Sequence, residues 1–390
     1  MVSVTKNNTP ALRCDGFEGE WTYTRLAEIA QMYQPQTIAS KELQQSGVPV
    51  FGANGFIGFY NAANHATDQV TISARGEKTG TPSYVSGPVW ITGNSMVVNV
   101  DSSGIDKRFL YGNLSSRSLK FLATGGAQPQ LTRNVLNEYR IFVPPTLEEQ
   151  RAIGELFTDL DALIERHRAK HTNLQQTKTA LMQRMFPQDG ANEPELRLRG
   201  FNRAWGKVQI QQIADVVGGG TPSTSVATFW GGHIDWYSPN EIGEDAIAKP
   251  SNKRITSAGL ANSSAKMLPA HRTILFTSRA SIGHAAILDH PATTNQGFQS
   301  FVLKDGVDTH FVYALIPKIT EIAEQLATGS TFLEVSNKTV REIEVSIPTF
   351  EEQRAIGEVF SNLDALIAAE QRYITQLTQV KTALLQRMFV

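Results

Sequence analysis

Residues 148–186 read EEQRAIGELFTDLDALIERHRAKHTNLQQTKTALMQRMF, and residues 351–389 read EEQRAIGEVFSNLDALIAAEQRYITQLTQVKTALLQRMF. The copies lie 203 residues apart without a gap and agree at 25 of 39 positions, so the chain carries a tandem duplication. A weaker echo, at an offset of 184, opens each half: Leu12, Arg13, Gly16, Phe17, Trp21, Ile29 and Ala30 match Leu196, Arg197, Gly200, Phe201, Trp205, Ile213 and Ala214. Asn134 and Pro145 match Asn337 and Pro348 just before the long repeats. Between these landmarks, residues 30–123 barely resemble residues 217–326. A closely copied frame around two diverged inserts suits a scaffold that presents two different recognition surfaces.

Both long repeats read as helices. Prolines end the preceding strand-like runs, Thr146 and Thr349 are N-cap candidates, and acidic residues fill the first turns. Apolar residues then recur at alternating spacings of four and three. The first seam runs Ile153, Phe157, Leu160, Ile164, His167, His171, Leu174, Lys178, Leu181, Met185. The second runs Ile356, Phe360, Leu363, Ile367, Glu370, Ile374, Leu377, Lys381, Leu384, Met388. That heptad seam needs a helical partner, and the obvious partner for each rod is the other. A pseudo-twofold between the halves makes the rods antiparallel. Aligning their ends sets Ile153 across from Met388 and His171 across from Glu370, a mid-rod polar contact suited to fixing register; the alternative is that both side chains lean out to solvent.

Length and composition bound the rest. The 390 residues make two domains or one large one, with 36 Lys and Arg against 37 Asp and Glu. The single Cys14 excludes a disulfide framework, and no metal-ligand spacing accompanies it; His284 and His290 also lack such spacing. No signal peptide and no apolar run of membrane-spanning length is visible, so the expectation is a cytoplasmic protein with no membrane role. Short runs such as 96–100, 138–143, 273–276 and 298–302, bounded by Gly and Asn, read as strands, and each diverged insert reads as mixed α/β.

The doubled PPTLEEQRAIGE/PTFEEQRAIGE block, with its long helix ending LMQRMF/LLQRMF, resembles the specificity subunit of type I DNA restriction-modification enzymes. In the second half GGGTPST (218–224), IDWYSP (234–239), ILFTSRASIGHAAI (274–287) and TTNQGFQSF (293–301) resemble one class of target-recognition domain. In the first half VFGANGFIGFY (50–60), SARG (73–76), GPVWI (87–91) and GGAQPQL (125–131) resemble another. The resemblance implies an α+β chain: a first target-recognition domain at 1–147, a spacer helix at 148–186, a second target-recognition domain at 187–350 and a second spacer helix at 351–390. The two helices would form an antiparallel coiled coil in a pseudo-twofold tandem repeat. The resemblance also implies a non-catalytic subunit that reads a bipartite, asymmetric double-stranded DNA site. It would dock two methyltransferase subunits and, through them, two restriction and motor subunits. S-adenosylmethionine, ATP and magnesium would then belong to those partners, and no cofactor to this chain.

The residues agree in part. Two unlike domains read unlike half-sites, and a rod about 58 Å long can set them roughly one DNA turn apart. No [DN]-P-P-[YF] tetrapeptide for adenine methylation, no phosphate-cradling G-x-x-x-x-G-K-[ST] loop and no nuclease-like acidic cluster is present. Charge fits less well: residues 1–147 hold 12 basic and 10 acidic groups, while residues 187–350 hold 14 and 16. Binding by this chain alone should be weak and salt-sensitive, with partners neutralising phosphates.

Base edges are read by cationic, amide and hydroxyl side chains at loop tips or helix faces. The candidates in the first domain are Arg75, Lys78, Tyr84, Gln128, Gln130 and Arg133. In the second they are Thr221, Ser223, Thr224, Ser278, Arg279, Asn295 and Gln296, although Asn295 and Gln296 could equally hold a turn. Trp21, Trp205, Phe17 and Phe201 read as core. The copied charges Glu148, Glu149, Arg151, Glu155, Glu351, Glu352, Arg354 and Glu358 are candidates for docking the methyltransferase, with helix capping and seam packing as the alternative. The rival reading of the whole chain is a duplicated coiled-coil adaptor that binds proteins without touching DNA.

Overall fold

The structure is a computed structural model, and it describes residues 8–125, 129–188, 191, 193–243, 245–279, 281–329 and 333–390. Candidate Gln128 lies outside the described residues. The chain forms two compact units, Met1–Arg168 with Arg372–Val390 and Ala169–Gln371.

Unit 1 contains β1 (Thr22–Arg25), α1 (Leu26–Ile29), β2 (Gln31–Tyr33), β3 (Val48–Gly52), β4 (Gly55–Tyr60), β5 (Gln69–Ser73) and β6 (Pro82–Val85). It continues with β7 (Trp90–Ile91), β8 (Ser95–Asn99), α2 (Lys107–Ser115), α3 (Arg133–Glu138), β9 (Arg140–Val143) and the start of α4 (Leu147–Met185). Unit 2 contains β10 (Gly206–Gln209), α5 (Ile210–Ile213), β11 (Ala214–Gly218), β12 (Trp230–Tyr237), β13 (Arg254–Ile255), α6 (Ser257–Ala261) and β14 (Thr273–Phe276). There follow β15 (Ala285–Ile287), β16 (Thr293–Thr294), β17 (Gln299–Leu303), α7 (Thr309–Leu326), α8 (Asn337–Glu342), β18 (Glu344–Ile347) and the start of α9 (Phe350–Met388).

Strand order is the same in both. Unit 1 has sheets β2-β8-β5-β6, β4-β3-β7 and β1-β9, and unit 2 has β11-β17-β14-β15, β13-β12-β16 and β10-β18. Even the parallel pairs correspond, β3 with β7 and β12 with β16, among otherwise antiparallel ladders. Residues 30–123 and 217–326, almost unrelated in sequence, therefore share one topology. Burial explains how: β5 and β14 are buried along their whole lengths, and a strand of that kind constrains size and apolarity more than identity.

The long helices are paired antiparallel within each unit. In unit 1 the Lys381 ammonium meets the Asp161 carboxylate, and the His167 and Tyr373 rings lie 4.6 Å apart. In unit 2 Lys178 reaches Asp364 at 2.5 Å and Lys170 reaches Glu370 at 2.6 Å. Every seam position among Ile153, Phe157, Leu160, Ile164, His171, Leu174 and Leu181 is buried or half-buried. The same holds for Ile356, Phe360, Leu363, Ile367, Glu370, Ile374, Leu377 and Leu384. The ion pair of Glu370 differs from the expectation by one residue: it goes to Lys170, the neighbour of His171, because a lysine stem can lie along the seam and deliver its charge at the edge. The boundaries of the compact units fall inside the long helices. They cut through α4 and α9, since each unit takes the start of one long helix and the end of the other.

That sharing builds the cores. In unit 1 the Trp21, Phe109 and Phe157 rings pack on Phe389, with centroids 6.5, 5.8 and 5.7 Å away. In unit 2 Trp205, Phe311 and Phe360 pack on Phe186 at 6.1, 5.7 and 5.7 Å. The backbone follows suit: Leu12 N donates to Arg387 O at 2.9 Å, and Leu196 N to Arg184 O at 2.8 Å.

Candidate nucleic-acid interface

The copied EEQRAIGE block faces inward more than outward. Glu149 and Glu352 are each 1% exposed and take bidentate guanidinium bonds, from Arg13 at 2.7 and 2.8 Å and from Arg197 at 2.8 and 2.8 Å. The hydrogen bonds to those carboxylates hold both guanidiniums above the ordinary arginine range. Gln150 Oε1 accepts from Asp106 N at 2.9 Å, and Asp106 Oδ1 caps α2 by accepting from Phe109 N at 2.9 Å. Gln353 does the same for Asp308 at 3.1 Å, and Asp308 caps α7 through Phe311 N at 2.8 Å. Gly154 and Gly357 are glycines because of this approach: a Cβ would sit 2.8 Å from Asp106 Oδ1 and 2.3 Å from Asp308 Oδ1. Of the proposed docking residues, Glu149 and Glu352 are thus consumed by packing. Glu148, Arg151, Glu155, Glu351, Arg354 and Glu358 remain exposed. Arg151 and Glu155 line a cleft of about 620 Å³ together with Asp68, Tyr84, Lys107 and Arg108.

At the end of unit 1's larger sheet, β5 runs into the turn that carries Arg75 and Lys78. Gly80 N donates to Ser73 O at 2.8 Å to close the turn, and Gly80 has the positive φ of +83° that this closure requires. Gln130 lies beside Arg75 in an isolated antiparallel bridge, and both are exposed. Lys78 Nζ donates to Asn54 O at 3.4 Å, bringing the tip of the β3–β4 hairpin to the same place. Arg133, at the start of α3, is exposed. Tyr84 is different. It stands on β6, half-buried, and donates to Asp68 at 2.8 Å; burial first, then that bond, pushes its hydroxyl up to about 12.

Unit 2 gathers its candidates similarly. Gly219 and Gly220 press onto Asn295 and Ser264, where a Cβ at either would come within 2.1 Å of an oxygen, so the 218–224 loop lies flat against 294–297. Thr221 consequently donates to Gln296 Oε1 at 2.6 Å, and both are exposed. Ser223 shares a hydrogen bond with Ser225 at 2.8 Å, and Thr224 is exposed. Asn295 serves the turn: its Oδ1 accepts from Gly297 N at 2.8 Å. Ser278 is fully buried, with its backbone bonded to Gly297, so its hydroxyl has no route to a base edge; its neighbour Arg279 is exposed. Glu334, which is not among the cations, amides and hydroxyls expected from the sequence, places its carboxylate 2.8 Å from Arg279. Nothing local in the sequence marks that pairing across 55 residues. Among the described residues no group of three or more His, Cys, Asp or Glu is placed to hold a metal ion.

Residues 18–176 and 202–379 match the family profile described as the type I restriction modification DNA specificity domain. The chain belongs to this family. It carries two such domains, each reaching into one of the long helices. Among relatives, the MjaIX specificity subunit of Methanocaldococcus jannaschii is 36% identical over 190 residues, covering 48% of this chain and 44% of that one. The chain thus spans less than half of that relative's length. A putative type I restriction enzyme specificity subunit of Haemophilus influenzae is 24% identical over 380 residues, 93% of this chain and 92% of its own. The fold is that of the type I restriction-modification S subunit from M. genitalium: TM-score 0.74, 16% identity, with 98% of this chain and 99% of the other covered. No helix among the described residues is long and apolar enough to cross a membrane.

Proposed function

We propose that this protein is the DNA sequence-recognition subunit of a type I restriction-modification complex. In this reading each unit reads one half of a bipartite, asymmetric site, and the paired helices set the gap between the halves. The chain itself catalyses nothing. Two methyltransferase subunits dock on it, and through them two restriction and motor subunits; S-adenosylmethionine, ATP and magnesium are theirs. It acts on DNA in the cytoplasm. The observation that carries the reading is that two units of one topology carry different side chains at an equivalent place: Arg75 stands beside Gln130 in one, and Arg279 beside Glu334 in the other. Identical readers would demand a palindrome, whereas unlike readers on a common frame suit an asymmetric site. Groups such as Arg133 and Lys78 serve phosphates, and the amide and guanidinium tips serve base edges.

The near-neutral chain, with 36 basic and 37 acidic residues, leaves most phosphate neutralisation to partners. Methylome sequencing of a host carrying the complete system, with and without this chain, tests the proposal. The expected outcome is one split, non-palindromic methylated motif that disappears with the chain. Unchanged methylation on deletion, with partner subunits still co-purifying, would favour the protein adaptor instead.

A further inference from the structure

The turn bearing Arg75 and the turn bearing Arg279 belong to the two halves that diverged most, yet they are anchored by backbone hydrogen bonds at corresponding positions. Gly80 N bonds Ser73 O at 2.8 Å, and Gly283 N bonds Thr277 O at 3.0 Å. Ala74 N bonds Asn94 O at 2.9 Å, and Ser278 N bonds Gly297 O at 2.8 Å. Leu131 N bonds Ala74 O at 2.9 Å, and Val335 N bonds Ser278 O at 3.1 Å. The return strand repeats as well: Thr124 and Gln130 exchange both backbone bonds, and so do Thr328 and Glu334. Arg75 therefore bridges Gln130 where Arg279 bridges Glu334, each at an offset of 204 residues.

We propose that this arginine is the shared base reader of the two units, and that the side chain facing it, Gln130 or Glu334, selects the neighbouring base. The proposal rests on the DNA-recognition reading above and assigns that reading to one corresponding position in each unit. The chemistry of the two pairs differs. A guanidinium donates in a fork to guanine O6 and N7 in either unit. An adjacent glutamine amide both donates and accepts, the pattern adenine N6 and N7 require. A carboxylate only accepts, which suits cytosine N4 and rejects adenine N7. The Arg279–Glu334 pair is 46% and 44% exposed, so it contributes little to stability, and both groups remain open to a ligand. Among the described residues Arg75 has no ion pair, so unit 1 presents its cation beside a neutral amide.

The assembled complex of this chain with its methyltransferase subunits is used to select duplexes in which one half-site is fixed and the other randomised. Glu334→Gln should shift preference about 10-fold or more at one base pair of the half-site read by unit 2, from cytosine toward adenine, and leave the other half-site unchanged. Gln130→Glu should do the reverse in the half-site read by unit 1. Arg279→Ala and Arg75→Ala should each relax one guanine in their own half-site. Base preferences unchanged in Glu334→Gln, or affinity lowered equally for all sequences, would overturn the assignment. If Glu334→Gln fails to assemble, the Gln130→Glu selection decides alone. A wild-type complex that selects no sequence at all would instead overturn the DNA-recognition reading.

Discussion

Units 1 and 2 agree where their side chains face inward and part company where they face out. Arg13 grips Glu149 as Arg197 grips Glu352, and Phe389 fills one aromatic box as Phe186 fills the other. Even inside there is one lapse. Trp21 donates its indole N–H to Glu149 at 3.2 Å, whereas Trp205 Nε1 is buried with no hydrogen-bond partner among the described residues. The duplicated frame is held by interlocking side-chain bonds that leave little freedom, while the loops share backbone bonds that tolerate changes in most side chains.

The aromatic boxes offer the strongest test of this equivalence. Phe389→Ala should cost about 3–5 kcal/mol and Phe186→Ala a similar amount. Hydrogen exchange should show β1 and β9 loosening in the first variant and β10 and β18 in the second. Loosening in the opposite unit would break the comparison. Next come the buried carboxylates. Glu149→Ala should cost about 3 kcal/mol in denaturant unfolding, because it strands the Arg13 guanidinium at an otherwise buried site. Glu352→Ala should cost about 1 kcal/mol less, since no indole N–H loses its acceptor there. Equal losses would mean that the Trp21 bond contributes nothing.

The smallest effect is one of pH, and it runs in opposite directions. His65 in unit 1 is held below 6.5, chiefly by burial, beside Tyr33 and Asn64. Its neutral form is favoured in the fold, so unit 1 gains stability as pH rises toward 6.5 and loses it as pH falls. For His290 in unit 2 burial opposes charge, but the bonds to Asp289 and Asp235, at 2.5 and 3.0 Å, hold it above 6.5. That contribution is full below 6.5 and is lost as pH rises through the folded value. Thermal unfolding profiles of His65→Asn and His290→Asn between pH 5 and 8 should lose slopes of opposite sign, and slopes of the same sign would refute the assignment.

Periodicity made the two helices, their seams and their register legible to within one residue, because a heptad pattern records its partner in its own spacing. The echo of Arg13 and Trp21 in Arg197 and Trp205 was visible too, but not its purpose, since the carboxylates that Arg13 and Arg197 hold lie more than a hundred residues downstream. The shared topology of the diverged segments was invisible for the same reason: backbone bonds such as Ala74 to Leu131 leave no mark in residue identity. Among the candidate recognition residues, Arg75, Lys78, Arg279 and Gln296 lie at exposed turns. Tyr84 and Ser278 sit one strand or one residue away, where the alternation of the sheet turns them inward.

Because Phe389 completes the core that Trp21 begins, unit 1 is discontinuous in sequence, while unit 2 is a single uninterrupted span. A nascent chain leaving the ribosome therefore holds every residue of unit 2 before it holds residues 372–390 of unit 1. The unit begun earliest closes only after the other has been synthesised.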